Sequence, residues 1–86
     1  MSKLEKQIYR LQSIPKDYTY SEAKALAQQF GYVEKQKGRT SGSRVLLFRE
    51  SDERKIMLHK PHPGDIMKLY AVRDFLDALQ RNGDIK

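Results

Sequence analysis

The feature that most constrains this chain is a change of hydrophobic period, from helical to extended at Tyr32 and back to helical after Gly64. Side chains return to one face every 3.6 residues in a helix and every second residue in a strand, so a stretch patterned for one does not bury its apolar face as the other. Before the switch, Met1, Leu4, Ile8 and Leu11 predict a helix from Met1 to about Ser13. Pro15 ends it, because the residue before a proline is pushed out of the α region. Thr19 and Glu22 have the spacing of a capping box and open a second helix. Ala23, Leu26, Ala27 and Phe30 form its apolar stripe, and Gly31 supplies a C-terminal stop.

After the switch, Tyr32–Gln36, Ser43–Glu50 and Lys55–Lys60 read as short strands, joined by the loop Lys37–Gly42 and the polar turn Ser51–Arg54. Such short connections predict an antiparallel meander. Pro61 and Pro63 forbid further ladder pairing. Ile66, Leu69, Val72, Leu76 and Leu79 then mark a third helix, with Tyr70 and Phe75 beside the stripe and Gly83 as its end. The expected fold is a two-layer α+β domain in which helices cover one face of a three-stranded antiparallel sheet.

At 86 residues the chain is expected to form one domain over 1–86. A domain this small buries only about 60% of its unfolded surface. Its core is therefore thin, and no deep cavity for an organic cofactor is expected. The absence of cysteine excludes disulfides, thiolate metal sites and cysteine nucleophiles. The charged first residues carry no apolar run of a secretory signal, and no stretch approaches the ~20 apolar residues of a membrane span. A cytoplasmic protein is the expectation. The net charge of +6 favours a polyanionic partner such as nucleic acid, although a solvated basic face would have the same composition.

Three local features bear on chemistry. In the first, Lys37, Gly38, Arg39, Thr40, Ser41, Gly42, Ser43 and Arg44 set cations and hydroxyls around two glycines, a composition able to hold a phosphate. It is not a P-loop, since the glycine–lysine pair is missing and a strand follows. An ordinary solvated hairpin loop would read the same way.

In the second, His59 and His62, the only histidines, flank Lys60 and Pro61. Histidine exchanges protons near neutral pH. Metal-free RNA cleavage needs a base for the 2′-hydroxyl, an acid for the leaving oxygen and cations for the phosphate, and His59, His62, Lys60 and Arg44 are of those types. Counting outward from the turn, with Glu50 opposite Lys55, places Arg44 near Pro61, between the two histidines. No third ligand lies nearby in sequence, so no metal site is expected. One histidine packed under the third helix and the other at the surface is the competing account.

In the third, Val45, Leu46, Leu47 and Phe48 run without the alternation of a sheet wetted on one side. Leu46 and Phe48 are therefore candidates for a partner-covered face, although small domains also expose a few apolar groups.

From Thr19 to Gly83 the chain resembles the HicA family of bacterial toxins. The resemblance rests on Phe30, Gly31 and Tyr32 after a helix, Gly42 and Ser43 opening strand two, and His62, Pro63 and Gly64 before the last helix. Val72, Arg73, Leu76 and Gly83 fall where the family's last helix places its leucine, arginine, leucine and terminal glycine. Residues 1–14 would then be an N-terminal helix added to a HicA-like core over 19–83. The resemblance implies the α-β-β-β-α order of double-stranded-RNA-binding domains and a ribosome-independent mRNA endonuclease. It also implies a partner antitoxin, HicB-like, that covers the active site.

One position departs from the family. The catalytic histidine that follows Gly-Ser is here Arg44, and arginine stays protonated, so it is no general base. RNA binding by Lys37, Arg39, Ser43, Arg44 and Lys60 is the expectation that follows. Cleavage, if present, falls to His59 or His62. One alternative is an inactive HicA-like protein that binds RNA or an antitoxin as an adaptor, and another is a plain double-stranded-RNA binder without toxicity.

Overall fold

A computed structural model describes residues 2–35, 44–61 and 64–86. Their elements follow the order α1 (Lys3–Gln12), α2 (Tyr20–Gln29), β1 (Val33–Lys35), β2 (Arg44–Arg49), β3 (Arg54–His59) and α3 (Leu69–Arg81). The strands form one antiparallel sheet in the order β1-β2-β3, so the chain is α+β, as its two changes of period predict.

Local chemistry sets the helix ends. Ser2 and Thr19 cap α1 and α2, each accepting from the amide three residues on, while Glu5 and Glu22 reach back to the cap amides. These exchanges satisfy donors that a helix start otherwise leaves open. Glu22 also receives the Arg10 guanidinium, through Nη2 at 3.0 Å and through Nε, which ties α1 to the start of α2. Arg10 holds the Glu22 carboxyl below the usual carboxylate range. At its other end α2 turns through Gly31, whose φ of +95° is one that only glycine adopts without strain.

The core lies between the helices and one face of the sheet. Ala23 and Leu26 of α2, Val72, Phe75 and Leu79 of α3, and Leu47, Ile56 and Leu58 of the sheet are all buried in one cluster. Leu11 joins it from α1, and Met67 and Ile85 close it from the segments flanking α3. Glu34 reaches the same side of the sheet, its carboxylate 2.9 Å from Lys24 Nζ on α2.

Two expectations need correction. The third helix does not start at Ile66. Residues 65–67 instead run extended beside the entry to α2: Tyr20 donates to the Asp65 carbonyl at 2.7 Å and Met67 donates to the Tyr18 carbonyl at 2.8 Å. Met67 takes the core position, and Ile66 is 58% exposed.

The β2–β3 register also differs. Arg49 pairs with Arg54 and Arg44 with His59, so Arg44 does not lie opposite Pro61. The reason is the turn. The Asp52 carboxylate accepts from Arg49 Nε and Nη2 (2.9 and 2.8 Å) and from the Arg54 amide (3.3 Å), which brings Arg54 into the ladder. Glu53, at φ +58°, closes the loop in the left-handed region.

Candidate functional site

Because side chains alternate across a sheet, the burial of Leu47, Ile56 and Leu58 against the helices turns their neighbours to the opposite face. That outer face is built from Val33 and Lys35 of β1, Arg44, Leu46 and Phe48 of β2, and Lys55, Met57 and His59 of β3. Val33 and Met57 are 53% and 46% exposed. Leu46 and Phe48 are half-buried but stand outside the core cluster. They are shielded by their own face: Leu46 lies between Lys35 and Met57 in the ladders, Phe48 between Val33 and Lys55. The run of four apolar residues in β2 therefore divides, with Val45 and Leu47 toward the helices and Leu46 and Phe48 away from them.

At one end of this face Arg44, exposed, pairs with His59, half-buried. Directly opposed residues have Cβ atoms about 4.5–5.5 Å apart, so both side chains can meet one phosphate. The His59 ring lies 6.1 Å from the ring of Tyr70 in the first turn of α3, tilted by 57°. Lys60 follows, its Nζ 5.9 Å from the centre of the Tyr20 ring. Lys37, Arg39, Ser43 and His62 lie outside the described residues. The chain that carries the first three leads straight into Arg44.

Several cations of the sequence are occupied in the fold. Arg10 is held by Asp17 and Glu22, Lys24 by Glu34, Arg49 by Asp52 and Asp84, Arg54 by Asp52, and Arg81 by Asp77. Among the described residues, Lys35, Arg44, Lys55 and Lys60 make no ion pair, nor do Lys3, Lys6, Lys16, Lys68, Arg73 and Lys86, which lie off the strands. The strand positions of the outer face carry no carboxylate. Composition could not separate these two sets of cations, and Lys35, Lys55 and Tyr70 were not among the sequence candidates. The alternation Lys55, Met57, His59 is the signal that could have placed Lys55 on the face of His59.

A groove of about 370 Å³ between α1 and α2 is lined by Lys3, Lys6, Arg10 and Glu22 among others, and none of the candidate residues borders it. Among the described residues no cluster of three or more His, Cys, Asp or Glu side chains could hold a metal ion, and no helix is long and apolar enough to cross a membrane. Comparison with protein-family models, with curated proteins and with solved structures finds no match to this chain.

Proposed function

We propose that this protein is an RNA-binding, HicA-like toxin of a toxin–antitoxin pair, which holds RNA phosphates at the Arg44–His59 end of its sheet and cleaves mRNA there without a metal. The observation that carries the reading is the direct pairing of Arg44 with His59 at the end of the β2–β3 ladder, where the His59 ring also meets Tyr70 of α3, at the exit of a segment rich in cations and hydroxyls. Arg44 presents a fixed fork of donors to phosphate oxygens. His59 takes the proton from the 2′-hydroxyl as that oxygen bonds to phosphorus. The bond from phosphorus to the 5′-oxygen breaks, and the leaving oxygen takes a proton from a second acid, a role that only sequence assigns to His62. A HicB-like antitoxin is the partner that this reading implies.

The test is purified protein with RNA, with and without chelator. Cleavage that survives chelation and falls by roughly 10²–10⁴ in His59→Ala, with RNA binding retained, supports the reading. Neutralising Lys37, Arg39 and Arg44 together should weaken binding to many sequences alike and flatten the salt dependence by about 0.7–0.9 for each phosphate no longer held. RNA affinity that is absent at low salt would sink the proposal.

A second reading, an inactive adaptor that binds RNA or an antitoxin, is favoured by Arg44 itself, which stands where the family has its catalytic histidine. A parent protein that binds RNA and never cleaves it would select this second reading.

A further inference from the structure

We infer that the RNA bound is single-stranded, and that the outer sheet face is its platform, with Phe48 stacking a base and Lys35, Lys55 and Arg44 holding the backbone. The inference rests on the RNA-binding reading above and names the form of its substrate. Phe48 sits on the central strand, between Val33 of β1 and Lys55 of β3, on the face the helices leave open. Nothing in the core requires an aromatic ring there, because Phe48 is not part of the core cluster. Its ring is accompanied by the Lys35 ammonium, 5.4 Å from the ring centre. Such a cation can follow a phosphate while the ring takes the base.

The charges on this face point the same way. Lys35, Arg44 and Lys55 make no ion pair among the described residues, and the strand positions of the face hold no carboxylate. A polyanion is the complementary ligand. A duplex, however, keeps its bases stacked on one another and offers this face only backbone, leaving the half-buried Phe48 ring and the apolar groups Leu46, Met57 and Val33 without a counterpart. A single strand offers both parts at once: phosphates for the cations and base faces for the ring. From Phe48 to Arg44 the strand advances about 13 Å, at about 3.3 Å per residue. That length carries a short run of nucleotides from the stacking ring to the Arg44–His59 pair, so the platform feeds the site where cleavage is proposed.

The experiment compares a single-stranded RNA oligonucleotide with the same sequence annealed into a blunt duplex, by fluorescence anisotropy at fixed salt, for the parent, Phe48→Leu and Phe48→Tyr. Leucine keeps apolar bulk without a π-face; tyrosine keeps the π-face. The parent should prefer the single strand. Phe48→Leu should lose roughly 5- to 140-fold of that affinity, the worth of one stacked base, while Phe48→Tyr keeps it. Far-ultraviolet circular dichroism checks that both variants are folded. Single-strand affinity unchanged in a folded Phe48→Leu would overturn the platform while leaving RNA binding at Arg44 intact. So would a dimer in sedimentation that Phe48→Leu dissolves, since a second copy would then occupy the face. Binding to neither RNA form would remove the RNA reading itself, and the platform with it.

Discussion

Asp84 is the residue through which the end of the chain is fastened to the sheet, and its removal should be costly. Its carboxylate accepts from Arg49 Nη1 at 2.7 Å and from the Tyr32 hydroxyl at 2.6 Å, with its side chain only 9% exposed. The Arg49 guanidinium stacks 4.5 Å from the centre of the Tyr32 ring. One group thus joins β2, the entry to β1 and the segment after α3. Breaking a buried ion pair costs about 3–5 kcal/mol when the surviving charge is stranded. Arg49 would not be stranded, because Nη1 still donates to the Phe30 carbonyl at 3.0 Å and Nε and Nη2 still meet Asp52. The Tyr32 hydroxyl would still accept from Asn82 at 2.9 Å but lose its own acceptor. A carboxylate just beyond the end of α3 also opposes the helix dipole, a cost that Asp84→Ala relieves by about 0.3–1 kcal/mol. Two charge-assisted hydrogen bonds at about 1.5 kcal/mol each, the low end of their range because Arg49 and Tyr32 keep other partners, less that relief leave about 2–3 kcal/mol. For a domain of this size such a loss lowers Tm by on the order of 10–20 °C. Urea unfolding followed by circular dichroism measures it, with Asp84→Asn, which keeps shape and one acceptor, expected to cost about half as much. A loss below about 0.5 kcal/mol for Asp84→Ala would mean that the network does not hold the C-terminus.

Two further predictions concern the tyrosines and the hairpin. Burial pushes the Tyr20 and Tyr32 hydroxyls up to about 12 and raises Tyr18 as well. Their neutral forms are the folded ones, so stability that is intact below about pH 10 should fall as pH rises toward 12, with unfolding and tyrosinate absorbance rising together; tyrosinate forming fully while the fold persists would contradict it. Glu53 occupies the left-handed region at φ +58°, so Glu53→Gly should raise stability by about 0.5–1 kcal/mol in thermal unfolding, and a lower Tm would refute the strain.

What the sequence disclosed, and what it hid, follows from the range of the forces involved. Capping at Thr19–Glu22 and the glycine stop at Gly31 depend on residues within one turn, and both stand in the structure where the spacing puts them. The α3 stripe was legible for the same reason, with Val72 and Leu79 fully buried. Its start was not. Ile66 has the periodicity of the helix, yet the backbone of residues 65–67 finds partners at Tyr18 and Tyr20, far away in sequence. The hairpin register failed on a smaller scale, since Asp52 bonds Arg49 and the Arg54 amide at once, and no propensity encodes that choice.

The register error nevertheless left Arg44 and His59 on one face, and the reason is the two-residue period of a strand. Moving the partner of Arg44 from Pro61 to His59 shifts the pairing by two residues, which returns every side chain to the face it already occupied. A shift of one would have sent His59 toward the helices and Leu58 outward, dividing the arginine from the imidazole. The burial of Leu47, Ile56 and Leu58 forbids that shift, because it would carry Ile56 and Leu58, both at most 2% exposed, to the open face. At about 1.5–3 kcal/mol for each large aliphatic side chain, the two together outweigh what a rearranged turn could supply. The core thus decides that Arg44 and His59 share a face, and the Asp52 turn decides only that they stand directly opposite. A turn variant such as Asp52→Ala therefore leaves the shared face in place, whereas a polar residue at Leu58 would unseat it.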